Sequence, residues 1–482
     1  MDKNNAVRVK NELMIRVIRG YFDGNLEESI EKIPVEMRPR TDPPMRCCVY
    51  KDRAVLKYRL MGLMGFGIED EVDESKSLVS YLKETYSRTK PSDNILSVLN
   101  VACSACVQSQ YLVTNACRGC FARPCVFNCP RQAISLVNGQ SKIDKTKCID
   151  CGKCTQVCPY HAIIRVPIPC EEACPVNAIH KRPDGTEYID FEKCISCGKC
   201  LRACPFGAIL ERSQIIDVMR ELKAGKRVVA MVAPAIIGQF NGSLNQIAEA
   251  LQIVGFNRME EVARGAELTT EHETEEFFER MSEGKKLMTS SCCPAYVEAV
   301  KRHVPELLPC VSTTPSPMGF ISREVKKADP DCVTVFIGPC VAKRKEALND
   351  PYTDWVMTFE ELGALFAAME IDVASLPGIP LTREVGPHAR GFATSCGVTA
   401  AILNESSHLK KLPEGVKIDS KFINGLDRKS MKLLQMYGQG KLPGNFLEVM
   451  ACEGGCVGGP CRLSDVRLAT QAVKKLAEAP EN

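Results

Sequence analysis

The sequence lacks the long apolar runs of a membrane protein. No run of about 18 apolar residues occurs in its 482 residues, so no membrane-spanning helix is predicted. The N-terminal residues are charged and lack the apolar segment of a secretory signal peptide, which predicts a cytoplasmic location. The formal net charge is only +3, so neither nucleic acid nor a membrane surface is predicted as a partner.

Cysteine, by contrast, is abundant, with 27 residues in the chain. In a small secreted protein this number would indicate disulfide bonds. In a chain long enough for about two to four domains, and without a visible signal peptide, binding of metal by thiolates is the better interpretation.

Two cysteine runs carry a specific spacing. Residues 148–159 and 194–205 both read C-x2-C-x2-C-x3-C-P, the run of bacterial ferredoxins. In that run three thiolates hold one [4Fe-4S] cube, and the fourth ligates a neighbouring cube. The thiols are Cys148, Cys151, Cys154 and Cys158, and then Cys194, Cys197, Cys200 and Cys204. The spacing therefore predicts iron–sulfur clusters.

Sixteen cysteines between positions 103 and 204 are enough for four cubes. The first predicted set is Cys117, Cys120, Cys125 and Cys158, and the second is Cys129, Cys148, Cys151 and Cys154. The third is Cys174, Cys194, Cys197 and Cys200; the fourth, which rests on counting alone, is Cys103, Cys106, Cys170 and Cys204. Four C-x3-C-P segments, each followed by a short helix-like tail (RQAI, YHAI, VNAI, FGAI), predict two tandem ferredoxin-like units over 101–212.

Basic residues accompany these runs: Lys147, Lys153, Lys193, Lys199 and Arg202. They either offset the anionic clusters, form a docking face for an acidic electron donor, or are ordinary solvated side chains.

Residues 1–100 give less information. Helical periodicity predicts a mainly helical region of unknown role. We interpret the adjacent Cys47 and Cys48 as buried thiols rather than cluster ligands, because adjacent cysteines seldom serve one cube together.

Residues 226–465 alternate short apolar strands with helical patterns, which predicts an α/β domain, followed by a C-terminal helix over 466–482. Three segments place cysteines at the ends of predicted strands: SSCCPAY, IGPCVAKRKE and EVMACEGGCVGGPC. Strand ends are where α/β folds place their chemistry. These cysteines therefore indicate one further metal centre.

In order and composition the three segments resemble the signature motifs of the iron-only ([FeFe]) hydrogenases, and the similarity runs from Val228 to Ser464. The resemblance implies a two-lobed α/β H-cluster domain behind the ferredoxin-like units. It further implies an H-cluster, in which a cubane is bridged to a two-iron subsite with carbonyl, cyanide and dithiolate ligands. The implied cubane ligands are Cys293, Cys340, Cys452 and Cys456, with Cys456 as the bridge. Two to four further [4Fe-4S] clusters would supply electrons.

The same resemblance implies roles for other side chains. Lys343 would donate a hydrogen bond to a cyanide, Met450 would pack near the subsite, and Pro234 and Ser316 would line its pocket. Cys292 would be the proton-donating thiol. Glu273, Ser312, Glu276 and Arg280 would form a relay to the surface; the alternative for EHETEEFFER is an ordinary charged helix surface.

The sequence also departs from the family pattern. Gly338 replaces the usual methionine, Tyr296 replaces a tryptophan, and Pro460 and Cys461 stand where more glycine is usual. Cys461 is interpreted as a spare thiol. We expect three other cysteines to be buried structural thiols: Cys310, Cys332 and Cys396.

The implied activity is reversible proton reduction to H2, with electrons from a ferredoxin or a similar low-potential carrier, after assembly by H-cluster maturation proteins. The alternative is an H2 or redox sensor, or a related iron–sulfur protein with little turnover. A plain polyferredoxin would leave the three strand-end motifs without a role.

Overall fold

The computed structural model describes residues 4–103, 106, 111–381, 383, 385–408 and 417–477. The N-terminal region is helical, in agreement with its periodicity. Its helices are Asn5–Phe22, Leu26–Ser29, Ile33–Met37, Val49–Leu63 and Leu78–Ser87, with a 3-10 turn at Ile68–Asp70. The first helix begins where the Asn4 side chain accepts the Ala6 N–H, and it buries Val9, Leu13 and Val17 at helical spacing.

Cys47 and Cys48 precede the helix Val49–Leu63 at the protein surface. Cys47 is exposed and Cys48 is only partly buried, so the interpretation of this pair as buried thiols is wrong.

The ferredoxin-like region consists of short strands and single-turn helices. Its strands are Leu96–Val98, Tyr111–Val113, Ile134–Val137, Gln140–Ile143, Ile163–Arg165, Ile179–Lys181, Glu187–Ile189 and Ile209–Glu211. Its helices are Asn100–Cys103, Pro124–Phe127, Lys153–Val157, Pro169–Ala173 and Lys199–Ala203.

Strand pairing divides this region into the two predicted units and shows how they are arranged along the chain. In the first unit Tyr111–Val113 pairs with Ile163–Arg165, and Ile134–Val137 forms a hairpin with Gln140–Ile143. In the second unit Leu96–Val98 pairs with Ile209–Glu211, also antiparallel. Because Leu96–Val98 precedes the first unit, the first unit lies within the chain of the second.

The tails after the C-x3-C-P segments are not helical, which corrects that expectation. Each tail is a tight turn followed by a strand, because the residue before the alanine adopts a left-handed φ of 48° to 55°; these residues are Gln132, His161, Asn177 and Gly207. The turn aims the alanine N–H at the preceding cysteine sulfur. These bonds are Ala133 to Cys129 at 3.3 Å, Ala162 to Cys158 at 3.4 Å, Ala178 to Cys174 at 3.1 Å and Ala208 to Cys204 at 3.3 Å.

The C-terminal half is α/β with two parallel sheets, as predicted. The strands of the four-stranded sheet are, in spatial order, Arg258–Glu261, Val228–Val232, Val333–Gly338 and Trp355–Thr358. Those of the three-stranded sheet are Met288–Thr289, Phe446–Met450 and Ser420–Asn424. The central strands are buried along their whole length, as expected for parallel strands covered on both faces.

Helices cover both sheets. They are Ile215–Lys223, Leu244–Val254, Val262–Ser282, Pro294–His303, Pro317–Ala328, Ala342–Leu348, Phe359–Ala368, Pro387–Gly391, Gly397–His408, Arg428–Gly438 and Val466–Ala477. Short 3-10 turns lie at Pro234–Ile236, Pro305–Cys310, Val373–Ser375 and Cys456–Gly458. Within the described part of the chain, no helix has both the length and the apolar character needed to cross a bilayer.

A buried ion-pair cluster attaches the N-terminal helix to the rest of the protein. The Lys10 ammonium contacts Glu211, at the end of the last ferredoxin strand, and Glu360 at 2.6 Å, on the helix Phe359–Ala368. Both carboxylates are buried. Burial alone would lower the pKa of Lys10, but the two carboxylates outweigh it and raise that pKa, so Lys10 stays charged.

We expect Lys10→Met to lower the free energy of unfolding by about 3–5 kcal/mol, because it leaves two buried carboxylates without their cation. Urea unfolding followed by circular dichroism measures the change. Lys83→Met, at an exposed lysine 4.0 Å from Glu27, is the matched control and should have little effect. Equal unfolding midpoints for the two variants would contradict this account.

Candidate metal centres and proton relay

In the first ferredoxin unit the thiols lie in two groups. One small cavity is lined by Cys117, Cys120, Cys125 and Cys158. A second is lined by Cys129, Cys148, Cys151 and Cys154. The groups are the two sets expected from the spacing, and each takes its fourth thiol from the other half of the unit. Four thiols around one small cavity are the donor set of a [4Fe-4S] cube.

The second unit repeats this arrangement closer to the C-terminal half. Burial, together with the charges of Cys194 and Cys174, raises the pKa of Cys197 to about 12. Burial and the same neighbours raise the pKa of Cys200 well above its usual value. Each of these thiols contributes to the raised pKa of another, which indicates that the four side chains lie near one another.

The fourth predicted set of cysteines, which rested on counting alone, is also brought together. Burial raises the pKa of Cys170, and the next causes include Cys204, Cys106 and Cys103. The Glu187 N–H donates to the Cys103 sulfur at 3.3 Å. A fourth group of thiols is therefore present in the second unit, with two members supplied from before the first unit.

The three strand-end motifs meet at one centre. Cys293 precedes the helix Pro294–His303, Cys340 follows the strand Val333–Gly338, and Cys452 follows the strand Phe446–Met450. Burial and the neighbours Cys293 and Cys456 raise the pKa of Cys340 to about 12. Burial raises the pKa of Cys456 to about 11, although its side chain borders open space. Four neighbouring thiols cannot ionise together without a cationic core, so this donor set fits a thiolate-bound iron–sulfur cluster.

The thiol groups form a connected series. Cys197 of the third group is among the neighbours that raise the pKa of Cys452 after burial. Cys170 of the fourth group likewise contributes to the raised pKa of Cys200. The fourth group thus neighbours the third, and the third neighbours the centre at the strand ends.

Two of the basic residues near the runs belong to this junction. Lys199 donates to the Leu426 carbonyl, and Arg202 donates to the Pro460 carbonyl at 3.3 Å. These side chains join the second unit to the C-terminal half, and they are not part of an open docking face.

Lys343 lies buried beside the thiol centre. Its ammonium donates to the Ser316 hydroxyl at 2.9 Å and to Glu346 at 2.7 Å. Burial opposes its charge, but Glu346 outweighs burial and raises the pKa of Lys343. The sequence analysis missed Glu346; the available signal was its position three residues after Lys343 in a helical segment.

Glu273 and Glu276 occupy the inner face of the helix Val262–Ser282, so the exposed-surface alternative does not hold for them. Glu273 is fully buried and accepts the Ser291 N–H at 3.2 Å. Burial raises its pKa to about 8, so its carboxyl group is protonated at neutral pH. Glu273 is also the first neighbour, after burial, that raises the pKa of Cys292.

The pKa of Glu276 is shifted in the opposite direction to that of Glu273. Burial opposes ionisation of Glu276, but hydrogen bonds from Ser312, Thr313 and Thr314 outweigh it and lower its pKa to about 2. The Ser312 hydroxyl donates to Glu276 at 2.5 Å, and the Arg280 guanidinium lies 2.6 Å from the same carboxylate. The Ser312 hydroxyl also lowers the pKa of Glu273, against the larger effect of burial. Cys292, Glu273, Ser312, Glu276 and Arg280 therefore form one row of interacting groups.

Glu448 is a second acidic residue that the sequence analysis missed. It is buried on the strand Phe446–Met450 and accepts the N–H groups of Cys396 at 2.7 Å and Thr399 at 2.8 Å. Its charge contributes to the raised pKa values of Cys292 and Cys456. A single glutamate within an apolar strand, FLEVM, was the available signal.

The remaining expected pocket residues also lie near the strand ends. Met450 is buried in an apolar cluster that Cys292 and Cys293 border, and Pro234 begins the turn after the strand Val228–Val232. Cys332 is buried as expected, whereas Cys310 and Cys396 are only partly buried because each lies at the end of a surface turn or helix. Buried Cys461 faces Glu211, Glu360 and Lys10 rather than the thiol centre.

Two departures from the family pattern have structural partners. The Tyr296 hydroxyl is buried and donates to Thr289 at 2.7 Å. A Cβ atom at Gly338 would lie 2.6 Å from the Phe336 ring, which also lies 5.9 Å from the Lys343 ammonium. Phe336 therefore fills the space beside Gly338, where a longer side chain would otherwise pack.

We expect Gly338→Ala to destabilise the protein by about 1–3 kcal/mol, since the new methyl group overlaps a buried ring. Phe336→Leu in the same chain should relieve most of the loss. Gly319→Ala is the control: its Cβ would meet only Pro315 at 3.5 Å, and it should be neutral or stabilising by up to about 1 kcal/mol. Thermal unfolding measures all three. An unchanged melting temperature for Gly338→Ala would rule out this packing constraint.

Comparison with known proteins follows the same division of the chain. A family model described as the C-terminal domain of the iron only hydrogenase large subunit matches residues 226–460. A 4Fe-4S binding domain model matches residues 141–164 and 187–210. A solved [FeFe]-hydrogenase structure from Chlamydomonas reinhardtii has a TM-score of 0.47 at 24% identity, covering 55% of this chain and 89% of that one.

Relatives at the sequence level include hydrogenases and assembly factors. The periplasmic [Fe] hydrogenase large subunit of Nitratidesulfovibrio vulgaris is 32% identical over 372 residues, covering 66% of this chain and 85% of that protein. Iron hydrogenase 1 of Clostridium pasteurianum is 28% identical over 392 residues, covering 68% of this chain and 66% of that protein. A cytosolic Fe-S cluster assembly factor of Kluyveromyces lactis is 31% identical over 100 residues, 20% of this chain and 21% of that protein.

The similarity to a hydrogenase large subunit spans most of that subunit and includes the segments whose thiols meet at the strand ends. This chain belongs to the iron-only hydrogenase family.

Proposed function

We propose that the protein is an [FeFe] hydrogenase that interconverts H2 with protons and electrons. One observation carries the proposal: a row of interacting polar groups, from Arg280 to Cys292, ends beside the thiol centre. A protein that only carries electrons or assembles clusters has no need of such a row. The centre would be an H-cluster held by Cys293, Cys340, Cys452 and Cys456.

When bound, the H-cluster supplies the site at which H2 is made or split, and the protein supplies orientation, protons and electrons. In the direction of H2 formation, Cys292 donates a proton towards the cluster and regains one from Glu273. Ser312 would pass a proton from Glu276, to which its hydroxyl donates at 2.5 Å, to Glu273, whose pKa the same hydroxyl lowers. Arg280 holds Glu276 at the solvent end.

Lys343 would position the cluster. Its charge is buried and is held by Ser316 and Glu346, which leaves one ammonium hydrogen for an anionic ligand. Met450 and Pro234 would exclude water from the same space.

Electrons would reach the centre through the four thiol groups, each holding a [4Fe-4S] cube, from a low-potential carrier such as ferredoxin. We infer a cytoplasmic setting, because a reducing compartment keeps the proposed ligand thiols reduced, and we infer dependence on H-cluster maturation proteins.

A second candidate is H2 sensing with little turnover. Gly338 favours it, since an apolar contact usual in the family is replaced by the neighbouring Phe336 ring. Infrared spectra of maturated protein separate the two: both predict carbonyl and cyanide bands, but sensing predicts H2-dependent band changes with slow turnover. Absence of those bands would exclude both and favour an assembly role.

Cys292→Ala and Ser312→Ala should each lower H2 evolution by roughly 10²-fold or more, because each interrupts proton transfer to the centre. Cluster assembly, checked by infrared bands and iron content, should be retained. Cys47→Ala removes an exposed thiol away from the relay and should leave the rate unchanged. Near-normal rates in Cys292→Ala would show that protons enter by another route.

Iron analysis tests the number of clusters. Four cubes and the six-iron H-cluster correspond to about 22 irons per chain, whereas two cubes would leave about 14. Cys170→Ala should remove about four irons from the total. An unchanged iron content in that variant would remove the fourth cube from the proposal.

A further inference from the structure

Cys47 and Cys48 form an adjacent pair of thiols at the protein surface, outside the proposed cluster sites. The Cys47 thiol donates a weak hydrogen bond to the Cys48 sulfur, and the two sulfurs lie 3.9 Å apart. Cys47 is exposed and Cys48 is partly buried, so reagents in solution can reach the pair. Two accessible thiols in contact can exchange with a disulfide and be joined to one another, which a single buried thiol cannot do.

The two thiols of the pair differ in reactivity. Cys48 is the N-cap of the helix Val49–Leu63, where free N–H groups and the helix dipole favour negative charge. Hydrogen bonding by the Lys51 N–H lowers the pKa of Cys48; the Cys47 thiol and the Tyr50 N–H add to this effect, and together they outweigh burial. The thiolate is the nucleophile in disulfide exchange, so Cys48 is the attacking sulfur and Cys47 the resolving one.

The surface around the pair is basic. Residues 38–53 contain five lysines and arginines against two aspartates and no glutamate. The guanidinium groups of Arg40 and Arg53 lie 5.8 and 5.9 Å from the centre of the Tyr50 ring, which is itself 59% exposed. Positive charge stabilises a thiolate and attracts anions. The oxidant that this surface favours is therefore a small disulfide that carries carboxylate groups.

A disulfide between adjacent residues is strained and is therefore easily reversed. Consecutive Cα atoms are about 3.8 Å apart, closer than the roughly 4.4–6.8 Å that disulfides usually span. Strained disulfides are the readily reduced ones. The two sulfurs must also approach from 3.9 Å to about 2 Å, which requires the backbone on either side of the Cys47–Cys48 peptide bond to adjust.

The segment that carries the pair contacts the fourth thiol group. Arg46, the residue before Cys47, donates from its guanidinium to the Phe206 carbonyl at 3.3 Å. Two residues after Phe206, the Ala208 N–H donates to the Cys204 sulfur at 3.3 Å. A backbone change at Cys47 would therefore pass through Arg46 to the turn that holds this N–H against a proposed cluster ligand.

We propose that Cys47 and Cys48 form a redox-active dithiol that exchanges with small anionic disulfides and, when oxidised, alters the hydrogen bonding of the fourth cluster. The Cys48 thiolate attacks one sulfur of the small disulfide, which forms a mixed disulfide and releases one small thiolate. The Cys47 thiol then attacks the Cys48 sulfur and gives its proton to the second small thiolate as that group leaves. The pair is oxidised by two electrons, and the small disulfide is reduced to two small thiols. The exchange needs no bound cluster, whereas the effect on the fourth cluster rests on the proposed function.

Exchange is tested on full-length, cluster-loaded protein without oxygen, with dithiodipropionate as the anionic disulfide and cystamine as a cationic one of similar size. Peptide mass mapping should show the loss of two hydrogen atoms from the peptide that contains both cysteines. Each rate is divided by the rate of the same disulfide with mercaptoethanol, a neutral thiol. This ratio should be at least about fivefold higher for dithiodipropionate at low salt, and the difference should shrink as salt is added.

Two single variants separate the roles of the sulfurs. Cys47→Ser should stop at the mixed disulfide on Cys48, and Cys48→Ser should slow the exchange at least about tenfold. Cys396 is the internal control, because burial raises the pKa of this partly buried thiol and it should react far more slowly. Exchange no faster than at Cys396, or a disulfide that joins two chains instead of the adjacent pair, would overturn the proposal.

Resonance Raman spectra of protein with oxidised clusters test the link to the fourth cluster through the Fe–S stretching bands, which respond to hydrogen bonds at the ligand sulfurs. Oxidation of the pair should shift one such band. The shift should be absent in Cys170→Ala, which would lack the fourth cluster, and in Arg46→Met, which should still form the disulfide. Arg19→Met, at a half-exposed arginine, is the matched control and should retain the shift. Identical spectra for the dithiol and disulfide forms would overturn the link; H2 evolution enters neither readout, so failure of the catalytic proposal is scored separately.

Discussion

A thiolate buried away from water needs a cation, and this requirement organises the whole protein. Without metal, burial and neighbouring thiols hold the pKa values of Cys197 and Cys340 near 12, so the ligand sets would be neutral and weakly held together. Iron supplies the missing charge. Backbone N–H groups then complete the surroundings of the sulfurs, as at Ala178 and Ala208. The short strands and single-turn helices of the ferredoxin-like units position these donors, and the parallel sheets do the same for the centre at the strand ends.

Opposite environments within one helix distinguish the two carboxyl groups of the proposed proton relay. Glu273 has no exposed surface and a pKa raised to about 8, whereas Glu276, three residues later, receives enough hydrogen bonds to lower its pKa to about 2. Pairs of carboxyl groups whose environments separate their pKa values in this way are typical of proton-transfer sites. When the inner group gives up its proton, the negative charge lies on buried Glu273, and the raised pKa of that group favours its recovery of a proton from the outer side.

The sequence predicts the parts of the site that depend on local spacing. C-x2-C loops are short, so the cysteine groups of the first unit follow from the chain itself. The tails were misread because a four-residue apolar run does not distinguish helix from strand, although Asn177 before alanine was a signal for a left-handed turn. Glu346 and Glu448 acquire their roles only through contacts made in three dimensions. So does Lys10, since nothing near it in sequence shows that two distant carboxylates need its charge.

The order of the two units also explains one departure from the family pattern. The first unit is inserted in the chain of the second, so it can present a surface of its own while the second unit packs against the catalytic half. At that contact Gly198 has a φ of +72°, and a Cβ there would lie 2.8 Å from the Pro460 ring. Gly198 belongs to a ferredoxin run and Pro460 to the third strand-end motif, so a larger residue at either position would disturb the other. The proline that replaces a glycine in the third motif thus helps to fix Cys197 next to Cys452, at the junction that electrons from the second unit would cross in the proposed function.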